Sequence, residues 1–176
     1  MIDESYYWKQ PLLVAATWMR RLSLTEHSSP RTFVRLEREV FVGFYAIRKL
    51  FDTRKVTDSV RKMQFDLQTF PCIKKVDYLN CYRIDELYDL SSASAETRDL
   101  IFICNLFVHS YVFLPVVDQN FLAGFYVSSD KARQNKVFLV TISQVLKAFR
   151  AVGHDDPRHI SMVRDPITGQ FEGTIE

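Results

Sequence analysis

The stretch that decides the fold reads SSASAETRDLIFICNLFVHSYVFLPVVD, from Ser91 to Asp118. From Leu100 to Val117 it is almost wholly apolar, broken chiefly by Asn105, His109 and Ser110. The Ser91-Ser92-Ala93-Ser94 run is a helix start signal, although Ser94 with Thr97 supplies only half of a capping box. The spacing predicts one long helix over 95–113. Apolar nearly all round, such a helix must be enclosed on most sides. Its apolar length reaches the lower limit for a membrane span. Pro115 near the end and two strongly polar side chains in the middle favour a buried core helix instead.

Before this segment the pattern is helical. Residues 11–24 predict a first helix, with Pro11 at an opening position and Leu12, Ala15, Ala16, Met19 and Leu22 at helical spacing. Ser29 and Pro30 open a second helix running to about residue 53. Its apolar stripe is Phe33, Leu36, Val40, Phe44, Ile47 and Leu50. Thr57 caps a shorter third helix. Residues 66–93 read as mostly loop, because Pro71 breaks periodicity, with a short helix near Ile84 to Tyr88.

After Pro115 the period switches. Leu122 to Val127 and Lys136 to Thr141 alternate as β-strands. Ser143 to Val152 is a short helix stopped by Gly153. His159 to Arg164 and Gln170 to Ile175 form a closing hairpin around Asp165-Pro166-Ile167-Thr168-Gly169. The expected fold is therefore α+β in a single domain, 1–176. A bundle-like helical layer over 1–117 precedes a strand-rich extension over 118–176, with a small, mostly antiparallel sheet.

Bulk composition fits one globular domain: 176 residues, 47% hydrophobic and 25% charged. A net charge of +2, from 23 basic and 21 acidic side chains, is too small an excess for a strongly basic nucleic-acid binder. Any basic surface must come from local clustering. Cys72, Cys81 and Cys104 are odd in number and lack CxxC spacing, so neither a disulfide framework nor a zinc site is expected. The opening MIDESYYWKQ is acidic and aromatic, with Arg20 and Arg21 after the apolar run, the reverse of a secretory signal. These features predict a cytoplasmic protein with no membrane span and no cofactor.

Three polar groups in the decisive stretch suggest chemistry. On a continuous helix, Asn105 and His109 lie seven and eleven residues beyond Arg98, within about 20° of its direction. A guanidinium, a carboxamide and an imidazole on one face could hold a phosphate and move a proton. The competing reading is structural: a histidine satisfied in a core or interface, an asparagine bonded to backbone and a solvated arginine. Arg31, Arg35 and Arg38 share a face of the second helix. They form either an RNA-phosphate patch or a solvated face partly paired with Glu37 and Glu39. The Gly153-His154-Asp155-Asp156-Pro157-Arg158-His159 cluster has metal-ligand residue types but no standard spacing, so a polar turn is expected and no metal. No glycine-rich phosphate loop or Gly-x-Ser-x-Gly elbow is present.

Cys104-Asn105-Leu106-Phe107-Val108-His109 resembles the signature helix of the HEPN superfamily, whose motif is Arg, then often Asn, His or Asp, three residues and His. Asn105 and His109 match in register, whereas Cys104 occupies the place of the motif arginine. The resemblance implies metal-independent RNA cleavage in toxin–antitoxin or antiviral systems, at a composite site where two protomers pack. It implies that His109 assists proton transfer from the ribose 2′-hydroxyl. With Cys104 in the arginine's slot the phosphate role passes to Arg98, about two turns away, or the domain is a degenerate relative that binds without cutting. The expected partners are thus a second copy of the chain and RNA. The alternative is a non-enzymatic protein–protein interaction or dimerisation module, with a protein partner.

Overall fold

The computed structural model describes residues 2–25, 27–164, 166, 168, 169 and 171–176. Its helices are α1 (Tyr6–Arg20), α2 (Pro30–Asp52), α3 (Asp58–Arg61), α4 (Ile84–Leu87), α5 (Leu100–Val108) and α6 (Ile142–His154). Its strands are β1 (Gln64–Pro71), β2 (Ser94–Asp99), β3 (Ser110–Asp118), β4 (Phe121–Ser129), β5 (Lys136–Thr141), β6 (Ile160–Arg164) and β7 (Phe171–Ile175). The fold class is α+β. A five-stranded sheet runs in the order β2-β1-β5-β4-β3, antiparallel at every pairing, and β6 and β7 form a separate hairpin. Asp165, Ile167 and Gln170 of the expected closing turn lie outside the described residues.

The expected helix over 95–113 is not there. That segment is strand, helix and strand, and the reasons are local. Ser94–Asp99 extends and pairs along β1, with Glu96 opposite Leu67 and Arg98 opposite Phe65. Asp99 then caps α5, its carboxylate accepting the backbone N–H of Phe102 at 2.7 Å. The helix lasts nine residues and closes at His109, whose N–H reaches the carbonyl of Asn105. The β-branched and aromatic run from Tyr111 to Val117 then pairs with β4 as an edge strand, which accommodates Pro115.

Two further expectations change with it. The helix-first arrangement over 1–117 holds only in part, because β1, β2 and most of β3 also come from these residues and complete the sheet that 118–176 alone would leave small. Residues 66–93 are not mostly loop at their start: β1 shows a clear alternation, with Phe65 and Leu67 buried between exposed neighbours. The first helix begins at Tyr6 and ends at Arg20, so Pro11 sits inside it. Its missing N–H costs only the bond to the carbonyl of Tyr7, on an exposed face.

The helices cover one face of the sheet. α1, α2, α5 and α6 bury Leu12, Phe44, Ile47, Phe107 and Phe149 against Leu67, Phe125, Val127, Phe138 and Val140. The opposite face holds a smaller core of Phe70, Val76, Ile84, Leu87, Tyr88, Val112 and Val137 under the 72–90 segment. Alternation along β5 divides the layers: Val137 faces one core, Phe138 and Val140 the other. The main core is aromatic at its centre. Phe44 stacks on Phe107 at 4.2 Å between centroids, and Phe44 meets Phe149 edge-on at 5.2 Å. Gly43 lets α6 come close, since a Cβ there would lie 2.2 Å from Phe149 Cζ. No described helix is long and apolar enough to cross a membrane.

Candidate functional site

A cleft of about 810 Å³ opens on the helix side of the sheet, within the usual size range of ligand pockets. α2 contributes Arg48, β2 contributes Arg98, and α5 with its cap contributes Phe102, Asn105, Leu106 and His109. The β4–β5 loop adds Ser129 to Ala132, and β5 adds Lys136 and Phe138 beside Arg98 and Phe102. Arg98, Asn105 and His109, the three residues singled out in the sequence, are brought together. The geometry that does so is not a helix face. Arg98 is on a strand, Asn105 on the helix, and His109 is the residue after it, with φ −108° and ψ 23°.

Local structure explains each placement. Paired residues on neighbouring strands share a face of the sheet. Phe65 and Leu67 point into the helix-side core, so their partners Arg98 and Glu96 also lie on that side, at the sheet edge. His109 cannot continue α5, because Ser110 onward is drawn into pairing with β4. Its carbonyl accepts the N–H of Asp130 at 3.2 Å, which ties the β4–β5 loop to the helix end. That loop is further held by Arg133, which donates to the Asp130 carbonyl at 2.7 Å, pairs with its carboxylate and lies 4.0 Å over the Tyr111 ring. The Ser128 hydroxyl, fully buried, donates to the Lys136 carbonyl at 2.7 Å.

The cleft is electropositive. Arg48, Arg98, Lys131 and Lys136 line it, against one lining carboxylate, Asp130. Arg48 leans on Asp52 at 3.6 Å. Behind the lining, Glu96 bridges Arg98 and Lys136. Its Oε2 accepts from Arg98 Nη2 at 2.5 Å and Nε at 3.1 Å, and its Oε1 accepts from Lys136 Nζ. The Arg98 guanidinium lies 4.8 Å over the Phe102 ring, which meets Phe138 at 5.3 Å and 64°. The half-buried carboxamide of Asn105 and the exposed imidazole of His109 make no side-chain hydrogen bond among the described residues. Both are therefore free to meet a ligand, and the core-histidine alternative does not describe His109.

Arg48, Lys131, Lys136 and Glu96 escape a reading of the sequence, because β2 and β5 meet only by way of β1 between them, which leaves no periodic trace. A signal for β2 did exist. Asp99 before an apolar run is a helix cap, which would have placed Arg98 outside the helix.

The remaining candidates lie elsewhere. Cys104, in the slot of the motif arginine, is fully enclosed in the main core, and burial pushes its thiol well above the usual range. Arg31, Arg35 and Arg38 are exposed on α2 and do not line the cleft. Arg35 lies 4.1 Å over Trp18, and Arg38 bonds Glu39 at 3.1 Å. In the Gly153–His159 cluster the Asp155 carboxylate holds Thr57, the residue before α3, accepting from its N and Oγ1, both at 2.7 Å. Its carbonyl accepts Lys9 Nζ at 2.8 Å. Among the described residues no three His, Cys, Asp or Glu side chains converge on a metal position.

The hydrogen bond from Lys136, followed by that from Arg98, holds the Glu96 carboxyl below its ordinary value of 4.5, against the opposing effect of burial. A depressed carboxyl contributes stability that is present above its unfolded value and lost as pH falls through its folded one. The melting-temperature difference between wild type and Glu96→Gln is thus expected to hold steady from pH 7 to about 5 and to shrink on further acidification. A difference unchanged down to pH 2 would show the ion pairs to be unformed. No protein-family profile, curated protein or solved structure matches this chain.

Proposed function

We propose that this chain is an RNA-directed, HEPN-like domain of a prokaryotic defence or toxin system, which holds the phosphodiester backbone of single-stranded RNA in the cleft. The observation that carries the reading is the convergence of Arg98, Asn105 and His109 with Arg48, Lys131 and Lys136 on one open surface. Two arginines and two lysines favour a polyanion, and the RNA backbone supplies the commonest one of matching form. The resemblance of residues 104–109 to the HEPN helix supplies the chemistry. His109 takes the proton of the ribose 2′-hydroxyl as that oxygen bonds to the adjacent phosphorus, the P–O5′ bond breaks, and the leaving 5′-oxygen takes a proton from water; Asn105 orients the nucleotide, and Arg98 meets the phosphate in place of the arginine that Cys104 displaces. No metal is required by this set of groups.

The test is RNA degradation by purified protein beside His109→Ala, with a chelator present. His109 is exposed and unpaired, so Ala is expected to move stability by no more than about 0.5 kcal/mol. Cleavage by wild type, lost in the variant while RNA binding persists, is the outcome expected of an active enzyme. Binding by both without cleavage identifies a degenerate relative. Absence of both binding and cleavage removes the reading. A large loss of melting temperature with no RNA phenotype would make His109 structural.

A second reading, a protein-interaction or dimerisation module, has its own observation. Ile73, Tyr78, Leu79 and Tyr82 are exposed together in one loop segment, Tyr78 and Leu79 by about four-fifths. The long apolar helix over 95–113, which would have needed enclosing on most sides, does not form. α5 is enclosed by α2, α3 and the sheet of its own chain. If the 73–82 segment joins two copies, sedimentation velocity is expected to show a dimer that dissociates in Tyr78→Ser/Leu79→Ser. A wild-type monomer at high micromolar concentration would exclude self-association by this route.

A further inference from the structure

Glu96 does not line the cleft, yet it touches both cations on one side of it. A carboxylate beside an anion site ordinarily weakens binding, because it repels the ligand and neutralises the bases. The geometry here gives it another consequence. Each carboxylate oxygen takes a different cation, Oε1 from Lys136 and Oε2 from Arg98, and the carboxylate is only about one-fifth exposed.

The two cations are fixed by more than Glu96. Arg98 lies over Phe102, Lys136 Nζ lies 5.8 Å over Phe138, and the two rings touch each other. Carboxylate, guanidinium, ammonium and two rings thus form one closed cluster drawn from β2, α5 and β5. A guanidinium carries five N–H donors and an ammonium three. Glu96 engages two of Arg98's and one of Lys136's, so three and two respectively are not taken up by it, on two side chains that line the cleft.

We infer that Glu96 is a positioning residue, which holds Arg98 and Lys136 as a preformed two-cation clamp for one phosphate group. The inference rests on the cleft being an RNA phosphate site. Long cationic side chains lose much rotamer freedom when they close on a ligand, and a clamp ordered beforehand does not lose it again. Arg98 then offers a planar fork and Lys136 a point charge at a set separation, suited to two non-bridging oxygens of one phosphodiester.

Positioning and simple neutralisation predict opposite signs. Glu96→Gln removes a negative charge from behind the cleft. If Glu96 only neutralises, the affinity for a single-stranded RNA oligonucleotide rises and its salt dependence steepens. If Glu96 positions the clamp, affinity falls, by about tenfold, the loss of roughly one charge-assisted hydrogen bond. Glu96→Asp keeps the charge but shortens the reach, so it also weakens binding if position matters and leaves it unchanged if charge alone matters.

The companion measurement does not depend on RNA. The Nε–H resonance of Arg98 is expected to exchange slowly with water in wild type at neutral pH and to vanish from the spectrum of Glu96→Gln. Tighter RNA binding by Glu96→Gln, or an Arg98 resonance that is the same in both proteins, overturns the inference. Should wild type bind no RNA while the resonance behaves as stated, the clamp stands and the RNA reading fails. Inorganic pyrophosphate is then the probe in which the same fall is expected for both variants, and a rise or no change for Glu96→Gln again overturns the clamp.

Discussion

Phe44→Ala is expected to destabilise the protein by about 3–5 kcal/mol, the range for removing a fully buried phenylalanine. For a chain of this length the melting temperature should fall by roughly 6–20 °C. Phe44 is completely buried, lies flat on Phe107 and meets the edge of Phe149, so α5 and α6 lose a common partner on α2 at once. The void cannot close easily, because Phe107 is itself braced against Phe113 and Phe125. The effect reaches the cleft, since Phe107 lies on α5 between Asn105 and His109. Thermal denaturation with and without RNA measures both. A loss under about 1 kcal/mol would mean that the helix layer does not pack on the sheet as described.

The double variant Arg98→Ala/Lys131→Ala takes one cation of the cleft from β2 and one from the β4–β5 loop. A charge-assisted hydrogen bond contributes about 1.5–3 kcal/mol, so two together correspond to a loss of affinity on the order of 100-fold or more. The salt slope for single-stranded RNA should also fall by about 1.4, at roughly 0.7 per phosphate contact. Lys131 is on an exposed loop and Arg98 is half-exposed, so the stability lost should be confined to the Arg98 part of the Glu96 ion pairs. Fluorescence anisotropy across a salt series gives both quantities. Unchanged affinity and slope would place RNA elsewhere, with the Arg31–Arg35–Arg38 face as the next candidate.

Much of this molecule was legible before its structure. The second helix follows from the stripe Phe33 to Leu50 with Pro30 in its first turn, and its observed limits are Pro30–Asp52. The strands at 121–129 and 136–141 follow from period-two alternation, and Thr141 with Gln144 completes a capping box for α6. The stretch 94–118 misled for a physical reason. A short helix and an edge strand that are both buried leave one continuous apolar run, and periodicity alone cannot divide it. Asp99, a capping residue, and the β-branched and aromatic Tyr111 to Val117 were the dividing marks.

The site was legible as residue types and not as geometry. Arg98, Asn105 and His109 do line one cleft, but by way of a strand edge, a helix and a cap. Lys136 and Arg48 could not be joined to them from sequence, because the sheet order β2-β1-β5 brings β2 near β5 through a strand that had read as loop. Cys104 illustrates the converse. Its slot in the motif was visible at once, whereas its enclosure in the core, which turns the position away from the cleft, was not.

The most direct test is a two-dimensional NMR titration of the isotope-labelled protein with a short single-stranded RNA. The account predicts the largest shifts at the Asn105 side-chain amide, the His109 backbone amide and the amides of Ser129 to Ala132, with α2 residues 31–38 unmoved. Shifts confined to α2, or none at RNA concentrations in the millimolar range, would contradict the assignment of this cleft to RNA.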